Sequence, residues 1–411
     1  MSQKNILVLI EKFGQGGAEK AAAIVSQMLH EDGRYRVYFC SVYRPSGDYH
    51  SNEVEQRTLD IVPARSLPQK LVNYYRKVQR LRRLKRELNI ALTISSLWPA
   101  DWINRLSGRD KKIAVIQINI LNNAQNAAMV KMRGLVSRVY NAFNRVVLVS
   151  ANLHEEMAGF FTVRKELLTV IHNPIDARQL EKNLSEPLEP ALEAALRQHK
   201  ILVAANRLHD IKNTAMLVPI YKSLPSRSET KLVLVGAGDE EAAIKDLIIR
   251  EGLRHTDAGP AFDASADVYF LGFRSNIHNV VSRATVFLLP TKGEGFPLAL
   301  IEAMYCRVPI MASDCPNGGV FEIMEGQGIY DMNKVRTAPE RTPGGYLMPI
   351  PSAAQPDTIR TWANCIEELL HAPQAETEAI RNGNRKHALD FDTKALSKKW
   401  FQLIDNVLYE K

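Results

Sequence analysis

Short β-branched runs alternate along the chain with longer stretches whose apolar residues recur every three or four positions. Ile6-Leu7-Val8-Leu9-Ile10 is too short for a helix and leads through a glycine-rich turn into an alanine-rich helical stretch ending at Leu29. Strand signals recur at Val37 to Val42, Ala91 to Ile94, Ile113 to Ile118 and Val146 to Val149. Parallel strands need crossover connections that cover both faces, so this β-α-β-α order predicts an α/β fold with a parallel sheet between helices. The rhythm breaks at Asn183 to Pro190, where Pro187 and Pro190 lie in a polar stretch. It then restarts at Ile201 to Ala205, Leu232 to Val235, Val268 to Leu271, Val286 to Leu289 and Pro309 to Ala312.

Two similar α/β domains are therefore expected, residues 1–182 and 183–392. A helix at about 393–411, with Leu396, Trp400, Leu403 and Leu408 on one side, returns to the first domain. Arg254 to Asp267 and Gly326 to Pro351, rich in Gly, Pro and polar residues, are expected as surface loops or lids. In open α/β sheets ligands sit beyond the carboxyl ends of the strands, which directs attention to the turns that follow them.

Composition agrees with this picture. The chain has 411 residues, 45% hydrophobic and 24% charged, and a single core seldom grows beyond about 250–300 residues. Cys40, Cys306, Cys315 and Cys365 show no CxxC spacing, which speaks against a disulfide framework or zinc site and for a reducing compartment. No apolar run has the length of a membrane span, and the N-terminus lacks the order of a signal peptide, so a cytoplasmic location is expected.

Charge alters the picture more. Residues 1–180 carry 27 Lys/Arg against 15 Asp/Glu, a net +12, within an overall +8; the remainder carries −4. Much of the excess lies in residues 70–86: Lys70, Arg76, Lys77, Arg80, Arg82, Arg83, Lys85 and Arg86. Leu71, Tyr74, Tyr75, Val78, Leu81, Leu84 and Leu88 recur there at helical spacing. Such a basic amphipathic helix suits an anionic membrane surface, the plain alternative being an apolar face packed in the domain beneath solvated cations. No nucleic-acid-binding motif accompanies the charge, so nucleic acid is not expected as a partner.

Three segments could carry chemistry. Gly14-Gln15-Gly16-Gly17-Ala18-Glu19 joins the first strand to a helix start, where backbone N–H groups favour an anion. Glu19 stands where a dinucleotide fingerprint needs Gly or Ala, which disfavours a nicotinamide or flavin. Asn206-Arg207-Leu208, with Lys212-Asn213, follows a strand and offers one guanidinium and one ammonium for a diphosphate, or a pair of solvated cations. Gly293-Glu294-Gly295-Phe296-Pro297-Leu298-Ala299-Leu300-Ile301-Glu302-Ala303-Met304 places one acid in a glycine-flanked loop and a second inside an apolar helix. Burying that second carboxylate is costly without hydroxyl or cation partners.

The Glu294/Glu302 pair with its flanks, the N-terminal GGAE, Arg207 with Lys212 and three further turns together resemble the retaining glycosyltransferases of family 4, over roughly residues 5–325. Those turns are Leu234-Val235-Gly236-Ala237-Gly238, Leu271-Gly272-Phe273 and His172-Asn173-Pro174-Ile175-Asp176. The resemblance implies the GT-B architecture of two Rossmann-like domains facing a cleft. A nucleotide-sugar donor would lie on the second domain and a glycan or lipid-linked acceptor on the first. It implies that Glu294 meets the hydroxyls of the transferred sugar and Glu302 the donor ribose, that Arg207 and Lys212 bind the diphosphate, and that Gly16 and Gly17 lie beside it. Gly236, Phe273, Gly295, Phe296, Pro297 and Leu298 are the other donor-side positions the motifs mark. Glu294, Arg207 and Lys212 are the catalytic candidates.

The same resemblance implies transfer with retention of anomeric configuration, without a metal or other cofactor. It implies a UDP-sugar donor in preference to a GDP- or ADP-sugar, and a role in surface polysaccharide or lipopolysaccharide synthesis; a peripheral place on the inner face of the plasma membrane is the expectation from the basic stripe of residues 70–86. The only D-x-D, Asp390-Phe391-Asp392, lies near the C-terminus and is given a structural reading. Two departures stand out. Where many family members carry a His, this chain reads Val115-Ile116-Gln117-Ile118-Asn119-Ile120, so Gln117 and Asn119 are the acceptor-side candidates; neither amide can act as a base. The helix after Glu302 ends in Cys306-Arg307 rather than Gly. The alternatives are a non-catalytic nucleotide-sugar-binding protein of the same fold and a GT-B epimerase or phosphorylase.

Overall fold

The computed structural model describes residues 3–14, 16–44, 53–64, 66–121, 127–316, 318–325 and 336–409. It forms two compact units, Met1–Ile175 with Phe391–Lys411, and Asp176–Asp390.

The first unit is built on β1 (Lys4–Ile10), β2 (Tyr35–Tyr43), β3 (Glu55–Ile61), β4 (Ile90–Ser96), β5 (Lys111–Ile116), β6 (Arg145–Leu148) and β7 (Leu168–Val170). They pair in the order β3-β2-β1-β4-β5-β6-β7, every pair parallel. Ile6 to Ile10 are buried because β1 has a neighbour on each side and helices above and below. The edge strand β3, EQRTLDI, buries only Leu59 and Ile61 of its span, which is why its composition conceals it. The helix Thr393–Tyr409 belongs to this unit and buries Leu396, Trp400, Leu403, Ile404 and Val407. Tyr35 Oη donates to Asp405 at 2.5 Å, and the Arg34 guanidinium lies 3.9 Å from the Phe401 ring centre.

The second unit holds β8 (Lys200–Ala205), β9 (Thr230–Val235), β10 (His255–Asp257), β11 (Val268–Phe270), β12 (Val286–Leu289), β13 (Ile310–Ser313), β14 (Glu340–Thr342) and β15 (Gly345–Met348). Their order is β10-β11-β9-β8-β12-β13-β15-β14, parallel except for β14 against β15. Two segments expected as loops thus contribute to the sheet. His255–Asp257 pairs with β11, and the buried Gly345–Met348 extends the sheet beyond β13. Residues 326–335 of the expected lid lie outside the described residues.

The units part at Ile175, earlier than the Pro187/Pro190 stretch suggests. Asp176 caps the helix Ala177–Ser185 by accepting from the N–H groups of Arg178 at 3.0 Å and Gln179 at 3.3 Å. That helix is held within the second unit by Tyr305 Oη donating to Glu181 at 2.8 Å, while Pro190 opens the next helix, Pro190–Gln198, instead of marking a linker. At the other seam Asp392 accepts from the Lys394 N–H at 3.2 Å, in keeping with a structural role for the D-x-D pair.

The helix Leu298–Tyr305 closes with the Val308 N–H donating to the Ala303 carbonyl at 3.3 Å and Arg307 in the left-handed region, φ 64°. A non-glycine residue there costs about 1–2 kcal/mol. Arg307 is held in place by Glu378 and Asn382, each at 2.9 Å.

Candidate functional site

The carboxyl ends of β11, β9, β8 and β12 lie side by side, and backbone hydrogen bonds lace the turns that follow them. Gly236 N–H donates to the Gly272 carbonyl at 2.8 Å, Leu208 N–H to Ala237 at 3.1 Å, and Lys292 N–H to Ile211 at 2.8 Å. Gly236 adopts φ 127°, and a Cβ there would run into the Asn206 carbonyl oxygen, so only glycine lets the β9 turn close over Asn206-Arg207. Gly319 is likewise pressed on the Gly295 carbonyl, leaving no room for a side chain where the glycine-flanked loop meets the chain after β13.

Two loops bring charged groups together at these ends. Lys212 Nζ donates to Glu294 Oε1 at 2.5 Å, the two side chains being 25% and 10% exposed. Asn213 underlies this contact. It sits in the left-handed region, φ 56°, which its short polar side chain tolerates, and its Nδ2 donates to the Pro290 carbonyl at 3.1 Å and the Pro351 carbonyl at 2.9 Å. Thr291 Oγ1 donates to the Ile211 carbonyl at 3.0 Å, and Lys292 pairs with Asp210 at 2.5 Å. Arg207 is exposed and forms no ion pair among the described residues. Beneath Glu294, burial pushes the Cys315 thiol up, and the charge of Glu294 adds to the shift, so it stays protonated.

The remaining donor-side positions divide. Phe296, Pro297 and Leu298 are buried at the start of the helix after β12, and Gly295 is buried beside them, whereas Phe273 is exposed in the turn after β11. Glu302 is buried about one turn into the helix. It accepts from His278 Nε2 at 3.1 Å, a partner that the motif spacing gave no means of finding.

The first unit holds the other candidates. Gly16 is the N-cap and Gly17 the first residue of the helix Gly17–Glu31, and the Glu19 carboxylate folds back against Gly14 and Gly16. Gln117 and Asn119 are both buried, and Gln117 Oε1 accepts from Asn173 Nδ2 at 2.8 Å. The loop after β5 is anchored by Glu156, whose carboxylate accepts from the N–H groups of Ile120 at 2.7 Å and Leu121 at 3.2 Å. Burial raises Glu156 to about 7 against the opposing pull of those hydrogen bonds and of Asn119. An acid in the pair Glu155-Glu156, ahead of a Met, gave no sequence signal for this role.

The basic helix is observed as Leu67–Glu87. Its residues do not share one environment. Lys85 is buried, donating to Asn104 at 2.7 Å and pairing with Asp110 at 3.0 Å; Lys77 meets Tyr43 Oη at 2.7 Å; Arg80 donates to the Leu59 and Asp60 carbonyls. Val78 and Leu81 are buried with Leu59 and Ile61. Outward lie Lys70, Arg76, Arg82, Arg83 and Arg86 together with Leu71, 75% exposed, Val72 and Tyr75, 66% exposed. No helix among the described residues is long and apolar enough to cross a membrane.

Comparison with known proteins agrees with both units. The family described as Glycosyltransferase Family 4 matches residues 15–179, and that described as Glycosyl transferases group 1 matches residues 199–344. An uncharacterised glycosyltransferase of Methanocaldococcus jannaschii is 28% identical over 193 residues, 45% of this chain and 46% of the relative. The N-acetylgalactosamine-N,N'-diacetylbacillosaminyl-diphospho-undecaprenol 4-alpha-N-acetylgalactosaminyltransferase of Campylobacter jejuni is 26% identical over 188 residues, 45% of each chain. The chain thus spans about half the length of these two relatives. Among solved structures, Anabaena HepE in complex with UDP and glucose superposes with a TM-score of 0.73 at 17% identity, over 98% of this chain and 100% of that one.

Proposed function

Because this chain belongs to the family 4 glycosyltransferases and has their two-domain GT-B fold, we propose that it moves a sugar from a nucleoside-diphosphate donor, a UDP-sugar first among them, to a glycan or lipid-linked acceptor. The observation that carries this reading is the Lys212–Glu294 contact at the carboxyl ends of β8 and β12, next to the exposed Arg207.

In the proposed reaction the bond between the anomeric carbon and the diphosphate oxygen lengthens first, leaving an oxocarbenium-like sugar and a diphosphate that gains negative charge. Arg207 and Lys212 neutralise that charge without a metal, and Glu294 holds hydroxyls of the sugar. The acceptor hydroxyl attacks the face the diphosphate is leaving, which gives retention, and no carboxylate is assigned as a nucleophile. Gln117 and Asn119 can orient an acceptor by hydrogen bonding but cannot take its proton, so the departing diphosphate is the proposed base. The enzyme's contribution is placement and fixed charge.

The Campylobacter relative is named for a diphospho-undecaprenol acceptor, which supports a lipid-linked acceptor here. The outward face of the helix Leu67–Glu87 supports peripheral contact with an anionic leaflet. Val72, Tyr75, Arg76, Arg82, Arg83 and Arg86 are exposed, with Arg82 donating to the Leu106 carbonyl at 3.0 Å and Arg83 pairing with Glu87 at 2.6 Å, and no acid occurs from Ser66 to Arg86. Such a surface would bring the enzyme to its acceptor in polysaccharide or lipopolysaccharide assembly.

The test is transfer from a panel of UDP-, GDP- and ADP-sugars to polyprenyl-diphosphate-linked glycans, with EDTA present. Acceptor-dependent turnover that falls at least about a hundredfold in Arg207→Ala and Glu294→Gln is expected, with the melting temperature of Arg207→Ala near wild type and that of Glu294→Gln lowered by no more than about 8 °C. Full activity in both variants removes the assignment, and donor consumption without acceptor points to an epimerase or phosphorylase instead.

A further inference from the structure

Glu302 is buried in an apolar helix, and the chain of groups behind it runs in one direction only. Gln179 Nε2 donates to Asn183 Oδ1 at 2.7 Å, which fixes the Asn183 amide with its NH2 toward His278. That NH2 lies 3.1 Å from His278 Nδ1 and can only donate, so Nδ1 accepts and the neutral ring carries its proton on Nε2. Nε2–H then donates to Glu302 Oε2 at 3.1 Å. The ring is enclosed: it is 3% exposed, and the cavity it lines with Val281, Phe287 and Glu302 holds only about 30 Å³. Each donor in the series polarises the next.

We infer that His278 is the positioning residue for Glu302, and that the series Gln179–Asn183–His278 sets how this carboxylate meets the vicinal hydroxyls of a bound nucleotide's ribose. The inference rests on the donor-binding reading above and adds a residue that no motif of the chain marks. The physical reason is that a carboxylate recognises two adjacent hydroxyls only if its plane is fixed. A buried charge-assisted donor on one oxygen fixes that plane and offsets the desolvation of the acid. His278 touches no ligand in this account. It acts through Glu302, and Asn183 acts through His278 by dictating its tautomer.

The experiment is calorimetric titration of the intact chain with UDP, GDP and ADP, followed by the 2′-deoxy form of the nucleotide that binds most tightly. Wild type is expected to favour the ribonucleotide by on the order of tenfold, the worth of one hydrogen bond to a charged group. His278→Gln, whose amide N–H reaches the same carboxylate oxygen, is expected to keep that preference. His278→Leu is expected to reduce it to about twofold or less while binding the 2′-deoxy form as wild type does. Asn183→Ala, at a half-exposed position that tolerates truncation, is expected to lower the preference about threefold, so the relay is tested even if His278→Leu fails to fold. A purely structural His278 would change both affinities equally and leave the ratio intact, and that result overturns the inference. Binding of none of the three nucleotides by wild type overturns the donor-binding reading, and the inference with it.

Discussion

Replacing Lys212 by Met and Glu294 by Gln separates two roles that one short contact now joins. The pair is 2.5 Å apart with side chains 25% and 10% exposed, between a surface pair, worth about 0–1 kcal/mol, and a fully buried one, whose rupture costs about 3–5 kcal/mol. Lys212→Met should therefore destabilise the second unit by about 1–2 kcal/mol, or roughly 2–8 °C for a unit of this size. Its effect on nucleoside-diphosphate affinity should be larger, about tenfold to a hundredfold, because a charge-assisted contact contributes about 1.5–3 kcal/mol. Glu294→Gln works in the opposite sense. It removes the carboxylate that competes with the diphosphate for Lys212, so nucleoside-diphosphate affinity holds or rises by up to about threefold, while sugar transfer falls at least about a hundredfold. Titration calorimetry with UDP and a thermal melt of each variant give the numbers. Weakening of UDP binding by the same factor in both variants would refute the division of labour.

Three further outcomes follow from the geometry. Asn213→Ala leaves the buried carbonyls of Pro290 and Pro351 without their shared donor and puts Ala in the left-handed region. A loss of about 3 kcal/mol is expected in denaturant unfolding, and a loss below about 1 kcal/mol would show that the loops hold without it. Glu156 is raised from 4.5 to about 7 in the folded state, so the native protein holds its proton more tightly than the unfolded chain between those values. Its contribution is full below pH 4.5 and is lost as pH rises to about 7; Glu156→Gln should flatten that decline in melting temperature, leaving the slope from Asp101, which burial raises to about 8. An unchanged slope would remove Glu156 from the account. Leu71→Ser combined with Tyr75→Ser should lower association with anionic vesicles at low salt at least about tenfold, since burying such a side chain is worth about 1.5–3 kcal/mol. Absence of vesicle binding by wild type would end the membrane reading.

Strands buried on both faces were legible because they are continuous apolar runs, as in Ile6 to Ile10 and Leu232 to Val235. Glu55–Ile61 was not, since an edge strand buries few of its residues, and Gly345–Met348 was hidden by the Gly and Pro around it. Lys212 and Glu294 lie far apart in sequence and meet in the structure; strand-end topology marked each segment separately, and their sharing one site was what the family resemblance implied. His278 and Glu156 were not legible at all. Each acts through a partner on another element, and neither helix periodicity nor local spacing encodes which buried acid a histidine faces or which loop a glutamate holds. The basic stripe shows the limit of charge counting: Lys85 looks like its neighbours in sequence, yet it is buried on Asp110 while Arg86 is exposed.

In the proposed reaction Arg207 and Lys212 hold the donor's diphosphate while Glu294 meets the sugar. A crystal structure with a bound, non-hydrolysable nucleotide sugar tests it most directly. The diphosphate oxygens are expected within about 3 Å of both cations, with Lys212 drawn off Glu294 and that carboxylate bonded to sugar hydroxyls. A diphosphate bound elsewhere, with the Lys212–Glu294 contact intact, would contradict it.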